Sequence, residues 1–208
     1  MSKWKAAWTG SKKTMEGLEA AYREKIPFSL ACTVTKHNVD HLDFIVDLAA
    51  RYDTVVAVQT MKEMHGGVED IKAFFPDREK YVAAIDQLIE LKRRGNKHIR
   101  NSMVNLWHIR QWPKYPPLPC KAGSLFVIIE ANGDFKPCDR ITYGHDLPNL
   151  HHMTMREALA KTRTDFECEG CGFCGALEIN YAHQLRTQAF VAINEIVRRG
   201  HNGTSPAS

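Results

Sequence analysis

The sequence predicts an α/β protein followed by a small α+β region of hairpin plus helices, and three observations carry that expectation. Through the N-terminal half, helical periodicity alternates with short apolar runs of the kind that form buried parallel strands. Pro113, Pro116, Pro117 and Pro119 then break the pattern, as a stiff linker does. Beyond them lie an Asn-Gly hairpin signal and five of the chain's six cysteines.

The elements follow in order. Met15, Leu18 and Tyr22 stand at helical spacing within residues 14–24. Pro27 then opens a strand from Phe28 to Thr35, with Phe28, Leu30, Cys32 and Val34 on an apolar face and Ser29, Ala31, Thr33 and Thr35 on a small, partly hydroxylic one. Asn38 is the expected N-cap of a helix burying Leu42, Ile45, Val46 and Ala49. The apolar run Thr54 to Val58 reads as a second strand. A helix from about Asp77 to Arg94 follows, with Tyr81, Ile85, Leu88 and Ile89 inside and Gly95 past its end. Two parallel strands have open edges, so this piece calls for further strands or a partner that covers it. A short helix with Val104, Leu106 and Trp107 ends at Pro113.

The second region starts at Cys120. Ser124 to Glu130 and Phe135 to Cys138 are expected to pair through Asn132-Gly133 as a type I′ hairpin, with Ala131 facing Asp134 and Cys138 opposite Val127. Cys120 must then fold back through Gly123 to approach Cys138. Thr154 and Glu157 form a capping box for a helix through about Arg163. A final helix from about Ala176 to Arg199 offers Leu185, Phe190, Ile193 and Val197 for burial. The expected division is thus 1–112, a linker at 113–119, a cysteine-rich domain at 120–199, and a disordered tail at 200–208.

Composition narrows the function. A net charge of +4, from 28 basic and 24 acidic residues interspersed along the chain, implies neither nucleic-acid nor membrane electrostatics. The basic group Lys92, Arg93, Arg94, Lys97 and Arg100 sits at a helix C-terminus, where cations complement the helix dipole. Met1 to Gly10 has no apolar segment of signal-peptide length, and no window resembles a membrane helix, so the expected location is the cytoplasm. In that reducing compartment closely spaced cysteines point to metal ligation or redox chemistry rather than disulfides.

The candidate site is Cys120, Cys138, Cys168, Cys171 and Cys174. Clustered thiolates from separate segments, with glycines between them, suit either an iron-sulfur cluster or zinc. The run Cys168-x2-Cys171-x2-Cys174 is similar to the three consecutive ligands of bacterial ferredoxins. Cys120 and Cys138 are separated by seventeen residues, unlike the paired Cys-x2-Cys knuckles of zinc ribbons. Cys32, alone on an apolar strand face, is expected to act as a small hydrophobe. His145, His151 and His152 lie in a polar loop and are expected to be solvated. Trp107, Trp112 and Phe173 are expected in the core or shielding the site.

Cys120, twelve residues, Gly133, four residues, then Cys138 resembles the Cys-x(9-15)-Gly-x4-Cys pattern of SPASM and twitch domains, found at the C-terminus of many radical S-adenosylmethionine enzymes. The Gly-Asp-Phe-Lys-Pro-Cys-Asp segment and Pro148-Asn149-Leu150 add to the likeness. Gly10 to Ala21, Phe28 to Asn38 and Val55 to Met61 are similar, more loosely, to the last units of that family's parallel (β/α) barrel. The resemblance implies a partial barrel fragment followed by a domain holding one auxiliary [4Fe-4S] cluster, with Cys120, Cys138, Cys168 and Cys171 as ligands and Cys174 as an extra. The family's Cys-x3-Cys-x2-Cys motif is absent from the sequence. S-adenosylmethionine cleavage would therefore need the missing barrel half, supplied by a partner chain or by a longer form of this one. A non-catalytic module holding zinc or a cluster is the competing expectation, and the substrate, peptide or small molecule, stays open.

Overall fold

The computed structural model describes residues 9–61, 71–138, 147–162 and 170–202, with side chains at 12–61, 71–138, 147–162 and 170–189. Its N-terminal part is α1 (Thr9–Arg23), β1 (Leu30–Val34), α2 (Leu42–Arg51), β2 (Val56–Thr60) and α3 (Arg78–Arg93). β1 and β2 run parallel in a register of Leu30 with Val56 through Val34 with Thr60. A mixed α/β fold with a small parallel sheet therefore stands as expected, with β2 starting two residues later than the apolar run suggested.

The sheet extends further than the sequence indicated. Ile99 bridges Val56 in parallel, and the ladder is Val56 N–H to the His98 carbonyl and Arg100 N–H to the Val56 carbonyl, both at 2.8 Å. Asn101 then continues this third strand with its side chain: it accepts from Val58 N–H and donates to the Val58 carbonyl, both at 2.7 Å. The amide stands in for backbone and seals that edge of β2. β1 pairs only with β2 among the described residues, and Ala31 is exposed.

Local chemistry explains most helix ends. Asp77 caps α3 by accepting from Glu79 and Lys80 N–H, and Gly95 adopts φ +89° just past its end. Asn38 departs from its expected role. Its side chain turns back to accept from Thr35 N–H at 2.8 Å and donate to the Thr33 carbonyl at 2.9 Å, so a 3-10 turn at Val39–His41 starts α2 without a side-chain cap. Satisfying the open edge of β1 outcompetes capping at that position. The threonine face is also bonded locally, since Thr33 Oγ1 accepts from Gln59 Nε2 at 3.1 Å.

α3 packs on α4 (Met103–Ile109), which Ser102 caps. Two links cross that contact: Tyr81 O–H donates to the Ile109 carbonyl at 2.8 Å, and Arg110 makes a forked pair with Asp86. Arg110 holds the Asp86 carboxyl below its usual 3.8, against a smaller opposing effect of burial. The stability this pair adds is complete above pH 3.8 and is lost as pH falls through the folded-state value. Because the carboxylate is 43% exposed, Asp86→Asn is expected to cost less than about 1 kcal/mol at neutral pH. The difference from wild type should close on acidification, as urea titrations would show.

The C-terminal part holds β3 (Ile128–Ile129), β4 (Phe135–Lys136), α5 (Met155–Lys161) and α6 (Cys174–Asn202). The hairpin corrects the expected turn. Ile129 faces Phe135, Gly133 N–H returns to the Glu130 carbonyl, and only Gly133 has positive φ in the loop, at +84°. A three-residue loop with one left-handed glycine replaces the two-residue type I′ turn. The register moves by one, so extending it puts Cys138 opposite Phe126 rather than Val127. A Cβ on Gly133 would lie 2.8 Å from the His151 ring, and Gly133→Ala is expected to lower stability by about 1–2 kcal/mol. Thermal denaturation would measure it.

Pro148 to Leu150 lies along β4, with Phe135 N–H bonded to the Pro148 carbonyl and Leu150 N–H to the Gly133 carbonyl. The capping box at Thr154 and Glu157 is present, and α5 ends at Lys161. α6 begins at Cys174 rather than Ala176 and continues to Asn202, so the first residues of the expected tail, Gly200 to Asn202, are helical. Residues 203–208 lie outside the described part. Leu185, expected to be buried, is 66% exposed.

One core spans both halves. It combines Val34, Val46, Val56, Val58, Tyr81, Ile85 and Leu106 with Cys171, Ala176 and Leu177, and Tyr115 and Leu118 of the Pro-rich segment pack against it. Trp112 is buried against Phe75 and Tyr81. Trp107, in contrast to the expected core role, is 45% exposed beneath the Arg110 guanidinium. No helix among the described residues is long and apolar enough to cross a membrane.

Candidate metal centre

The cysteine segment docks on the C-terminal end of β2. Thr60, the last residue of that strand, donates its N–H to the Gly172 carbonyl at 3.3 Å, and the Thr60 hydroxyl bonds the Tyr115 hydroxyl. The approach is so close that a Cβ on Gly172 would sit 1.7 Å from Thr60 Oγ1. Glycine is required there for space. The strand ends of parallel sheets are where α/β proteins place their sites.

Four of the five candidate cysteines are described. Cys171 is buried, its carbonyl accepting from His108 at 2.9 Å and its sulfur from Phe173 N–H at 3.4 Å. Cys174 opens α6, and both its carbonyl and its sulfur receive Asn105 Nδ2, at 3.2 and 3.7 Å. Cys120 is half-buried, with Asn180 Nδ2 at 3.7 Å from its sulfur and Lys121 N–H donating to Asn180 Oδ1 at 2.7 Å. The chain after Cys120 turns at Gly123, which takes φ +80°, and Ala122 bridges Phe126. Cys138, half-buried, follows Pro137 just beyond β4. Cys168 and His145 lie outside the described residues. Among the described residues no three His, Cys, Asp or Glu side chains form a metal-holding group.

Five polar side chains are buried among the described residues: Thr60, Asn101, Asn105, His108 and Asn180. All bear on the cysteine segments, Asn101 indirectly, by donating from Nδ2 to Asn105 Oδ1 at 2.9 Å. Burying a polar group is costly unless it is bonded, so this convergence is a built feature rather than packing filler. Ser102 N–H also bonds Glu178 at 2.7 Å, tying the start of α4 to the first turns of α6.

His108 is nearly inaccessible to solvent, and burial pushes its pKa down against the raising effect of its bond to the Cys171 carbonyl. The neutral ring is favoured. A carbonyl can only accept, so Nε2 carries the proton and Nδ1 accepts from the Tyr181 hydroxyl at 2.7 Å. The Tyr115 ring stacks on His108 at 5.4 Å between centroids. Burial raises the Cys174 thiol above its ordinary value, with Glu178 adding to the effect and Asn105 and Arg100 opposing it. Burial likewise takes Cys32 to about 11. A thiolate at Cys174 would therefore need a positively charged partner such as a metal ion.

Sequence reasoning missed Thr60, Asn101, Asn105, His108, Tyr115 and Asn180. A signal existed for two of them: Asn105 and His108 stand at helical spacing among the buried Leu106 and Ile109. Polar residues on the apolar face of a helix mark an internal network. His151 is placed by its N–H to Asn149 Oδ1 and packs under Gly133, and His152 N–H bonds the Asn149 carbonyl. The basic group is engaged in neutralising contacts: Arg93 and Arg94 pair with Glu90, Lys97 with Asp53, and Lys92 Nζ bonds the Ile99 carbonyl.

No protein-family model and no curated protein sequence matches this chain.

Proposed function

We propose that the chain is the C-terminal portion of a radical S-adenosylmethionine enzyme of the SPASM or twitch type, whose cysteines hold one auxiliary [4Fe-4S] cluster. The observation that carries this reading is that the five buried polar side chains among the described residues bear on the segments around Cys120, Cys171 and Cys174. Three of those sulfurs receive an N–H donor, which is the surrounding that stabilises thiolate ligands. Cys120, Cys138, Cys168, Cys171 and Cys174 are the candidate ligands, with four needed.

A bound cluster would supply one-electron chemistry or a site for substrate. The chain's own residues hold the loop, exclude water and direct N–H groups at sulfur. These residues contain no Cys-x3-Cys-x2-Cys, so the radical-generating step is assigned to the missing barrel half. β1, paired on one side only among the described residues, offers an edge at Ala31 to which a further parallel strand could add.

The competing reading is a zinc or cluster module whose metal only folds the domain, favoured by the packing of Cys171 into the same core as Leu177. Anaerobic purification followed by metal analysis separates the cluster from the zinc form of the module. Brown protein that loses its iron on Cys171→Ser supports the cluster, whereas colourless protein with one zinc per chain supports the module.

A further inference from the structure

Two of the buried side chains end on sulfur, and each is oriented from its other end. Asn105 Oδ1 accepts from Asn101 Nδ2, and Asn101 is itself clamped on both backbone groups of Val58. Asn180 Oδ1 accepts from Lys121 N–H. With the amide oxygens taken by donors, each NH2 is turned inward, where it meets a backbone carbonyl, that of Cys174 at 3.2 Å for Asn105 and of Ala176 at 2.8 Å for Asn180, and has a second N–H left for Cys174 Sγ and Cys120 Sγ, each 3.7 Å away. Both asparagines are fully buried. A thiol is a weak acceptor, so the N–H that each amide has left for sulfur gains little there, whereas the same N–H aimed at a metal-bound thiolate forms a charge-assisted bond.

We propose that Asn105 and Asn180 are the redox-tuning residues of this site, donating to the sulfurs of Cys174 and Cys120 and so raising the cluster's reduction potential. The inference rests on the proposed cluster and counts Cys174 among its ligands. Taking up one electron from an external reductant increases the negative charge on the ligand sulfurs. Each N–H···S bond strengthens as that charge grows, so the donors favour the reduced state. Asn105 and Asn180 are positioning residues, since neither touches iron.

The test is a potentiometric titration, with dithionite as reductant, of the anaerobically purified full chain and of Asn105→Leu, Asn180→Leu and the double variant. Leu177→Ala serves as the control, because it loosens the buried face of the same helix without touching a sulfur donor. Each single asparagine variant should shift the reduction equilibrium about tenfold toward the oxidised state, about 59 mV more negative for a one-electron couple. The double variant should shift it further, and Leu177→Ala should leave it in place. Potentials that match wild type at full cluster content, or an equal shift in Leu177→Ala, would overturn the inference.

If the asparagine variants fail to load, reduced wild-type protein with isotopically labelled asparagine gives a second readout. Spin-echo modulation from the amide nitrogens is expected, and its absence overturns the inference. A wild-type chain without iron and sulfide would sink the cluster reading and this inference with it. A loaded wild type with unmoved potentials would sink this inference alone.

Discussion

Replacing Gly172 by alanine is expected to undock the cysteine loop from β2. The added Cβ would meet Thr60 Oγ1 at 1.7 Å, the Tyr115 hydroxyl at 2.5 Å and Thr60 Cβ at 2.9 Å. Rotating the threonine relieves the first contact but leaves the last, because Thr60 Cβ is fixed by a buried strand. Overlap of this kind in a packed interior costs about 3 kcal/mol or more. The hydrogen bond from Thr60 N–H to the Gly172 carbonyl is lost with it. Gly175→Ala is the matched control, since the nearest atom to its Cβ is Phe173 Cζ at 3.4 Å and no loss is expected. Urea denaturation and metal content of the two variants should diverge sharply.

Replacing His108 by leucine is the second large effect. It removes the donor to the Cys171 carbonyl and the acceptor of the half-buried Tyr181 hydroxyl. Each lost bond costs about 0.5–1.5 kcal/mol, so a combined loss of about 1–3 kcal/mol is expected in urea denaturation. Metal content should fall too, because the Cys171 carbonyl anchors the loop. His108→Gln retains a donor and an acceptor on a similar frame, and it should recover part of both quantities. A variant pair with equal losses would show that the ring fills space and nothing more.

How far the sequence foretold these features depends on the range of the interaction. Asp77 and Gly95 bracket α3, and Thr154 with Glu157 start α5, because a cap is written within one turn of the chain. The alternation of Leu30, Cys32 and Val34 with smaller residues likewise matched the buried face of β1. The third parallel segment was invisible, since Ile99 is a single apolar residue among polar neighbours and its continuation is a side chain, Asn101. The hairpin existed where Asn132-Gly133 indicated, but its register turned on how many residues the loop holds. One residue of difference moved Cys138 from Val127 to Phe126.

The candidate site was legible as a set of cysteines, not as a constellation. Cysteine spacing marked the candidate ligands, whereas the residues that hold them come from β2, α4, α6 and the Pro-rich segment, separated by up to 76 residues in hydrogen bonds such as Ser102 to Glu178. Tyr115 shows the limit well. In sequence it belongs to a linker, yet it stacks on His108 and reaches Thr60, because the segment packs onto the core instead of spanning a gap.

The most direct measurement of the central claim is iron and acid-labile sulfide per chain in protein purified without oxygen, with the spectrum of the reduced form. The account predicts brown protein holding about four of each and a signal from one reduced [4Fe-4S] cluster. Colourless protein without sulfide, whether it carries zinc or no metal, would contradict it.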